Sequence, residues 1–312
     1  MRYIKEFDAH KFESAWSQED PWGIGKDSYP PDTIIDAVTH NDIKLVKKFI
    51  KDGTDLNIQD DFGFTALNIA ANNNNVKIVK LLIDAGVHID IPDEDGETAL
   101  SCAVQNPVEK IHSRHVENNL EIVKLLIDSG ADFDKKFIFS RSPNSTGLVT
   151  PLYRTTLNNK VEMCELLINA GADINTKNGV GNTVLMISIT KEYDWDRSGR
   201  DLLGIAKLLI KAGADLNIQN NHGDTALICA IAYTASHYDE LVLTSKFYKS
   251  IPQESIKKVK LLIDAGADWN IKNADDKDFL DFLDDYKEEI INLYPEQYKE
   301  YLMKKNANKY NL

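Results

Sequence analysis

The sequence predicts an all-α solenoid of about six helix–turn–helix repeats, on three observations. The first is a recurring helix: Lys77 to Gly86 reads Lys-Ile-Val-Lys-Leu-Leu-Ile-Asp-Ala-Gly, with close copies at Lys44–Gly53, Glu121–Gly130, Glu162–Gly171, Gly204–Gly213 and Lys257–Gly266. Each copy is apolar around most of its circumference, so it must be packed on more than one side. The second is a constant segment upstream, Gly63-Phe-Thr-Ala-Leu, echoed at Gly96, Thr150, Gly181 and Gly223. Its threonine suits a helix N-cap, and its alanines let a short first helix approach its neighbours closely. The third is spacing: the closing glycines stand 33, 44, 41, 42 and 53 residues apart, which is a unit of 33 plus 11, 8, 9 and 20.

A 33-residue unit with Gly-x-Thr-x-Leu, a Leu-Leu helix and then Gly-Ala-Asp-x-Asn (Gly171–Asn175, Gly213–Asn217, Gly266–Asn270) closely resembles the ankyrin repeat, over about residues 31–273. The resemblance implies helix pairs joined by β-hairpin fingers and stacked into a curved array whose concave face binds a protein. Only Thr150-Pro151-Leu152 keeps the proline of the family's Thr-Pro-Leu-His, and no repeat has the histidine.

Taken in order, residues 1–30 lie outside the repeats and carry Tyr3, Phe7, Phe12, Trp16, Trp22 and Tyr29. They are expected to cap the open face of the first repeat, or to dock a partner through the two tryptophans. Pro30 and Pro31 stop that segment and Asp32 is placed as the cap of the first repeat's helix. In the second repeat Phe62 and Phe64 fall on the finger, as partner anchors or packed on the adjoining finger. The run Asn72 to Asn75 fits the turn between helices, where asparagine tolerates left-handed backbone.

The third repeat gains 11 residues between its helices, near 105–119, including His112 and His115, which are read as solvated surface because two histidines without a third ligand do not make a zinc site. The fourth has a finger lengthened by 8, near 137–149, holding Phe137, Ile138, Phe139, Ser140 and Arg141. The fifth and sixth are lengthened between helices near 193–201 (Tyr193, Trp195, Arg197) and 233–254 (Tyr233, His237, Tyr238, Phe247, Tyr248). Three insertions at one structural place are expected to line up as an aromatic rim along one edge. After Asn273, residues 274–312 combine Asp275, Asp276, Asp278 and Asp281 with Phe279, Leu280, Phe282, Leu283, Ile290 and Ile291, which suits a C-terminal cap, apolar inward and acidic outward. Pro295 is expected to open a last helix, with the Lys304 to Lys309 tail frayed.

Composition narrows function. With 36 basic and 49 acidic residues the net charge is −13, which repels nucleic acid and anionic membrane and favours a basic partner. Cys102, Cys164 and Cys229 cannot all pair, show no Cys-x-x-Cys, and read as core residues of a protein kept in a reducing compartment. The charged opening residues and the lack of a long apolar run argue for a cytoplasmic location. There is no phosphate loop, catalytic triad or His-Glu-x-x-His, so the expectation is a non-enzymatic, monomeric protein with no cofactor and no metal. Its partner-binding surface is placed at Phe62, Phe64, Glu94, Asp95, Glu97, Phe137, Phe139, Tyr153, Tyr193, Trp195, Asn221, His222, Asp224 and Tyr238. Two roles fit: an inhibitor or immunity protein neutralising a toxin, or a secreted bacterial or viral ankyrin effector acting as a host adaptor. An enzyme with a site built from the insertions is the remaining alternative.

Overall fold

In a computed structural model the chain is described over residues 33–105, 113–138, 147–190, 203–236, 253–283 and 287–310. Six helix pairs follow one another: α1 (Ile34–Thr39) with α2 (Ile43–Lys51), α3 (Ala66–Asn72) with α4 (Val76–Asp84), α5 (Ala99–Gln105) with α6 (Ser113–Asp128), α7 (Pro151–Leu157) with α8 (Val161–Ala170), α9 (Val184–Ile189) with α10 (Leu203–Lys211), and α11 (Ala226–Ser236) with α12 (Gln253–Asp264). First helices stack on first helices, from α1 through α11. Second helices form a parallel layer, from α2 through α10. The first helices carry the tighter core: every residue from Ala99 to Val104 and from Val184 to Ile189 is buried. Each fully buried Leu or Ile contributes about 1.5–3 kcal/mol, and each needs the adjoining repeat to exclude water from it.

The local signals act as the sequence implies. Thr65, Thr150 and Thr183 hold extended backbone at the N-cap and accept from the amide three residues on. In the turn between helices Asn41, Asn74 and Asn159 adopt positive φ, and Asp42 and Asn75 cap the second helix. The first helix is capped by Thr33, not Asp32: its hydroxyl accepts from the Asp36 amide while the Asp36 carboxylate reaches back to it. Asp32 itself lies outside the described residues.

The Gly-Ala-Asp-x-Asn segment ties the repeats together. Within a repeat Asp173 accepts from the Asn175 amide and Asp215 from the Asn217 amide, both at 2.9 Å. Across repeats the side chain two positions on caps the next unit: Asn57 accepts from the His88 amide at 2.8 Å, Asp134 from Asp173 at 3.0 Å, Asn175 from Asp215 at 2.9 Å and Asn217 from Asp268 at 2.9 Å. Asp90 fills the same post with both oxygens on the Asp132 amide. Every junction between repeats two and six thus carries the same bond.

The fingers are sparer than the β-hairpins the resemblance implies. Among the described residues only the fourth is a two-stranded ladder, β1 (Phe137–Ile138) against antiparallel β2 (Leu148–Val149). The second and fifth close with single bridges, Gln59 to Thr65 and Lys177 to Thr183. What holds them is one side-chain oxygen: Asp60 accepts from the Phe62 and Phe64 amides, Asp93 from Asp95 and Glu97, Asn178 from Val180 and Asn182, Asn220 from His222 and Asp224, and Asn273 from Asp275 and Lys277.

The insertions are partly absorbed into helices. α6 begins at Ser113, seven residues before the place that matches the start of α4, because once a helix is nucleated each further residue costs little. α11 likewise runs on to Ser236. The N-terminal segment 1–30, His112, residues 191–202 and 237–252 lie outside the described residues, and with them the rim residues Tyr193, Trp195, Tyr238, Phe247 and Tyr248, while Tyr233 falls within α11. At the C-terminus Phe279, Leu280, Leu283 and Ile290 are buried, and Trp269 meets Phe279 and Tyr294 edge-on at 5.8 and 6.2 Å. The last helix, α14 (Pro295–Tyr310), follows the short α13 (Lys287–Leu293). Contrary to the expected fraying it stays helical through Lys304, which pairs with Glu300, and Lys305, which donates to Tyr301 and Asp278.

One buried ion pair joins the third and fourth repeats. Arg154 Nη2 meets Glu97 Oε1 at 2.7 Å, its other terminal nitrogen donates to the Ser101 carbonyl, and its guanidinium lies 4.3 Å from the Phe137 ring centre. Both charges are almost sealed from water, so neither is tolerable without the other. Close by, burial pushes the Asp93 carboxyl up to about 6, against the opposing pull of its two amide bonds, with the Glu97 charge adding to the rise.

Three outcomes are expected. Arg154→Met should cost about 3–5 kcal/mol in urea unfolding, and most of it should return in Arg154→Met with Glu97→Gln. Gly63 (φ +82°) would place a Cβ 3.0 Å from the Asp93 Cα, whereas Gly86 (φ +78°) has open space; Gly63→Ala should therefore lower the thermal midpoint more than Gly86→Ala, which carries backbone strain of about 1 kcal/mol alone. Because the Asp93 pKa is raised on folding, the stability it confers is complete below about pH 4 and declines as pH rises through about 6. Asp93→Asn, the residue type the fifth and sixth fingers use at Asn178 and Asn220, should abolish that decline in a pH series of unfolding midpoints and keep both amide bonds.

Candidate functional site

The fingers run side by side because tip carbonyls accept from the next finger's amides. Phe62 O accepts from Glu94 N at 3.2 Å, Asp95 O from Ile138 N at 2.8 Å, Val180 O from Asn221 N at 3.1 Å and His222 O from Ala274 N at 2.9 Å. Between the fourth and fifth fingers the backbones touch: a Cβ on Gly147 would stand 2.6 Å from the Gly179 Cα. Gln59 and Gln219 brace the base by donating to their own finger and to the next, at Pro92 O and Lys272 O. This edge is a preformed surface whose shape does not depend on a ligand.

Three large apolar side chains project from it: Phe62 is 67% exposed, Ile138 48% and Leu148 52%. Phe62 lies on one side of the third finger and the Ile138–Leu148 pair on the other. The third finger's tip between them is acidic, with Glu94 and Asp95 exposed, and Asp61 stands exposed beside Phe62. An apolar anchor set in carboxylates is chemistry for gripping a protein surface, with the apolar atoms supplying affinity and the charges choosing the partner.

Of the residues assigned to binding from the sequence, Phe62, Glu94, Asp95, Asn221 and His222 share this edge, all exposed. Phe64 and Asp224 are half-buried; Phe64 packs on the core, and Asp224 accepts from Asn273 at 2.9 Å. Three assignments are corrected. Glu97 is buried in its pair with Arg154, Phe137 is buried beneath the same guanidinium, and Tyr153 is buried with its hydroxyl accepting from Asn178 at 2.7 Å. Phe137 is turned inward by strand alternation, Tyr153 lies in a helix buried on all sides, and Glu97 is held inward by Arg154. Phe139, Tyr193, Trp195 and Tyr238 lie outside the described residues. Leu148 was missed and Ile138 was not singled out, although alternation in β1 and β2, with Phe137 and Val149 inward, carries the signal that sends both outward.

The three thiols are enclosed. Cys102, Cys164 and Cys229 are buried, and burial pushes the Cys102 and Cys164 thiols up, away from the thiolate. Lys160 is brought down to about 8, first by burial and then by the Arg154 charge, and its amine donates to the Val104 carbonyl. It serves to satisfy the end of α5. Among the described residues no group of three or more His, Cys, Asp or Glu could hold a metal, and no helix is long and apolar enough to cross a membrane.

Comparison with known proteins agrees with this geometry. A family model described as ankyrin repeats in three copies matches residues 34–137, 113–195 and 152–273. Among solved structures, the ankyrin repeat domain of Bcl-3, a member of the IκB protein family, is 22% identical, covering 80% of this chain and 93% of that one with a TM-score of 0.56. An ankyrin repeat domain from Acinetobacter baumannii AYE is 24% identical, covering 75% and 97% with a TM-score of 0.56. A chain from the complex of a predatory endopeptidase of Bdellovibrio bacteriovorus with an immunity protein is 26% identical, covering 74% and 98% with a TM-score of 0.53. Comparison with curated proteins gives no match. With more than half of its length matched to the family model and its helix pairs stacked in the same order, the chain belongs to the ankyrin repeat family.

Proposed function

We propose that this protein is a non-enzymatic binding module that holds one protein partner along the finger edge, with Phe62, Ile138 and Leu148 as anchors. The observation that carries the proposal is their exposure on the second and fourth fingers of a braced edge, since side chains of that size are seldom left in water on a monomer without a use. The flanking Asp61, Glu94 and Asp95 and the net charge of −13 favour a partner with a basic surface around an apolar depression. Three buried thiols suit a reducing, cytoplasmic setting.

A finer reading is that the partner is an enzyme and the protein inhibits it, as an immunity protein does. The support is the resemblance, over 74% of this chain and 98% of the other, to a chain from a complex between an endopeptidase and an immunity protein. A preformed edge needs no folding on contact, so its anchors would act at full strength against a rigid target.

Affinity capture from the source cells, followed by mass spectrometry, tests the module. Wild-type protein should retain a defined partner, and Phe62→Ser with Ile138→Ser should weaken that complex by at least about tenfold while the thermal midpoint stays within a few degrees. Equal capture by the variant would remove the finger edge from the interaction. Addition of the wild-type protein to the captured partner, if it is a hydrolase, should stop turnover of a generic peptide substrate; unimpaired turnover would end the inhibitor reading and leave the binding module standing.

A further inference from the structure

Among the described residues the acidic chain carries a basic face on α2 and α4 that neither the core nor the finger edge uses. On α2 the residues Lys44, Lys47, Lys48 and Lys51 follow i, i+3, i+4, i+7 and all are exposed, so they form a single stripe on the outer side. α4 stacks beside α2, and the 33-residue period sets Lys77 next to Lys44 and Lys80 next to Lys47. Of the six, only Lys80 is in an ion pair among the described residues, with Glu121 at 2.6 Å.

The array does not serve the helix. Lys48 and Lys51 lie in the last turn of α2, where the helix dipole favours a cation, but Lys44 sits in the first turn, where it opposes it. Like charges at these spacings repel one another. The array thins beyond α2: Asp84 takes the equivalent of the Lys51 place on α4, Glu121 and Glu162 take that of Lys77 in the third and fourth repeats, and the Lys80 place is kept by Lys124 in the third but taken by Glu165 in the fourth.

We infer that the outer face of α2 and α4 is a second docking surface, for a short acidic segment of another protein carrying about four to six carboxylates. Size and charge select that occupant. The stripe spans about 10 Å along α2, and the neighbouring helix adds about 10 Å across. That fits two turns of an acidic helix or a few extended residues. A duplex or an anionic bilayer extends well beyond the patch and meets the carboxylates that make the chain −13, whereas a short segment lies within about one Debye length of the lysines and stays clear of the rest.

The test uses the full chain and a fluorescein-labelled decapeptide with six glutamates, read by anisotropy at about 50 mM salt. The wild type should bind it, and a glutamine-for-glutamate version should not compete. Lys44→Gln, Lys47→Gln, Lys48→Gln and Lys51→Gln together should weaken binding at least about tenfold with unchanged circular dichroism, and the four Lys→Arg changes should restore it. Lys207→Gln with Lys211→Gln, on α10, should have no effect. Failure of the wild type to bind, or equal binding by the Gln variant, overturns the inference. Tighter binding of phosphatidylserine vesicles or a DNA duplex through the same lysines overturns the assigned occupant. None of these readouts depends on Phe62 or Ile138, so the finger-edge proposal is judged separately.

Discussion

No repeat in this protein can bury its own apolar face, and the contact between neighbouring repeats is what makes each one stable. The six- and seven-residue first helices are too short to persist alone in water. They are ordered because Leu100 or Leu185 is covered on both sides by helices from adjacent repeats. Polar bonds fix the register of that stack. The side-chain oxygens of Asn57, Asp90, Asp134, Asn175 and Asn217 each cap an amide of the next repeat, so sliding one repeat against another would strand a donor and uncover apolar surface at once.

That constraint makes the finger edge a rigid tool. The second, third, fifth and sixth tips are each tied to their own base by one Asp or Asn oxygen and to the next finger by a backbone bond, so there little conformational freedom remains to be lost when something binds. The fourth finger is the longest, and its root is the most heavily braced. Phe137 lies under Arg154, Arg154 is neutralised by Glu97 of the preceding repeat, and the strand pair turns Ile138 and Leu148 outward. A buried charge pair adds little net stability over an apolar contact of the same volume, but it admits a single arrangement. Here that arrangement sets where the long finger leaves the array.

Charge is divided as well as net. The loops and fingers collect carboxylates because Asp and Asn are the residues whose short side chains can hold these turns. The outer helices have no such requirement, and on α2 and α4 they carry lysine. An acidic protein thus presents its acid where the turns are and its base where the helices face outward. The sum of −13 conceals that geography.

The sequence by itself determined the repeat and, the first helix apart, its caps and turns, because these rest on neighbours within a few residues: Thr65 before a helix, Gly86 after one, Asn74 in the turn. It also revealed that the fourth finger is long and that the cysteines are core residues. It did not determine which finger residues look outward, since Glu97 and Phe137 read as surface until their partner, Arg154, is brought from a position 57 and 17 residues away. Tyr153 is drawn inward in the same way by Asn178. Nor could it show that the insertion in the third repeat would lengthen a helix, or that lysines one period apart on α2 and α4 would lie side by side. Local bonding is written in local sequence, whereas burial and charge pairing depend on what the stack brings near, and only the assembled array decides that.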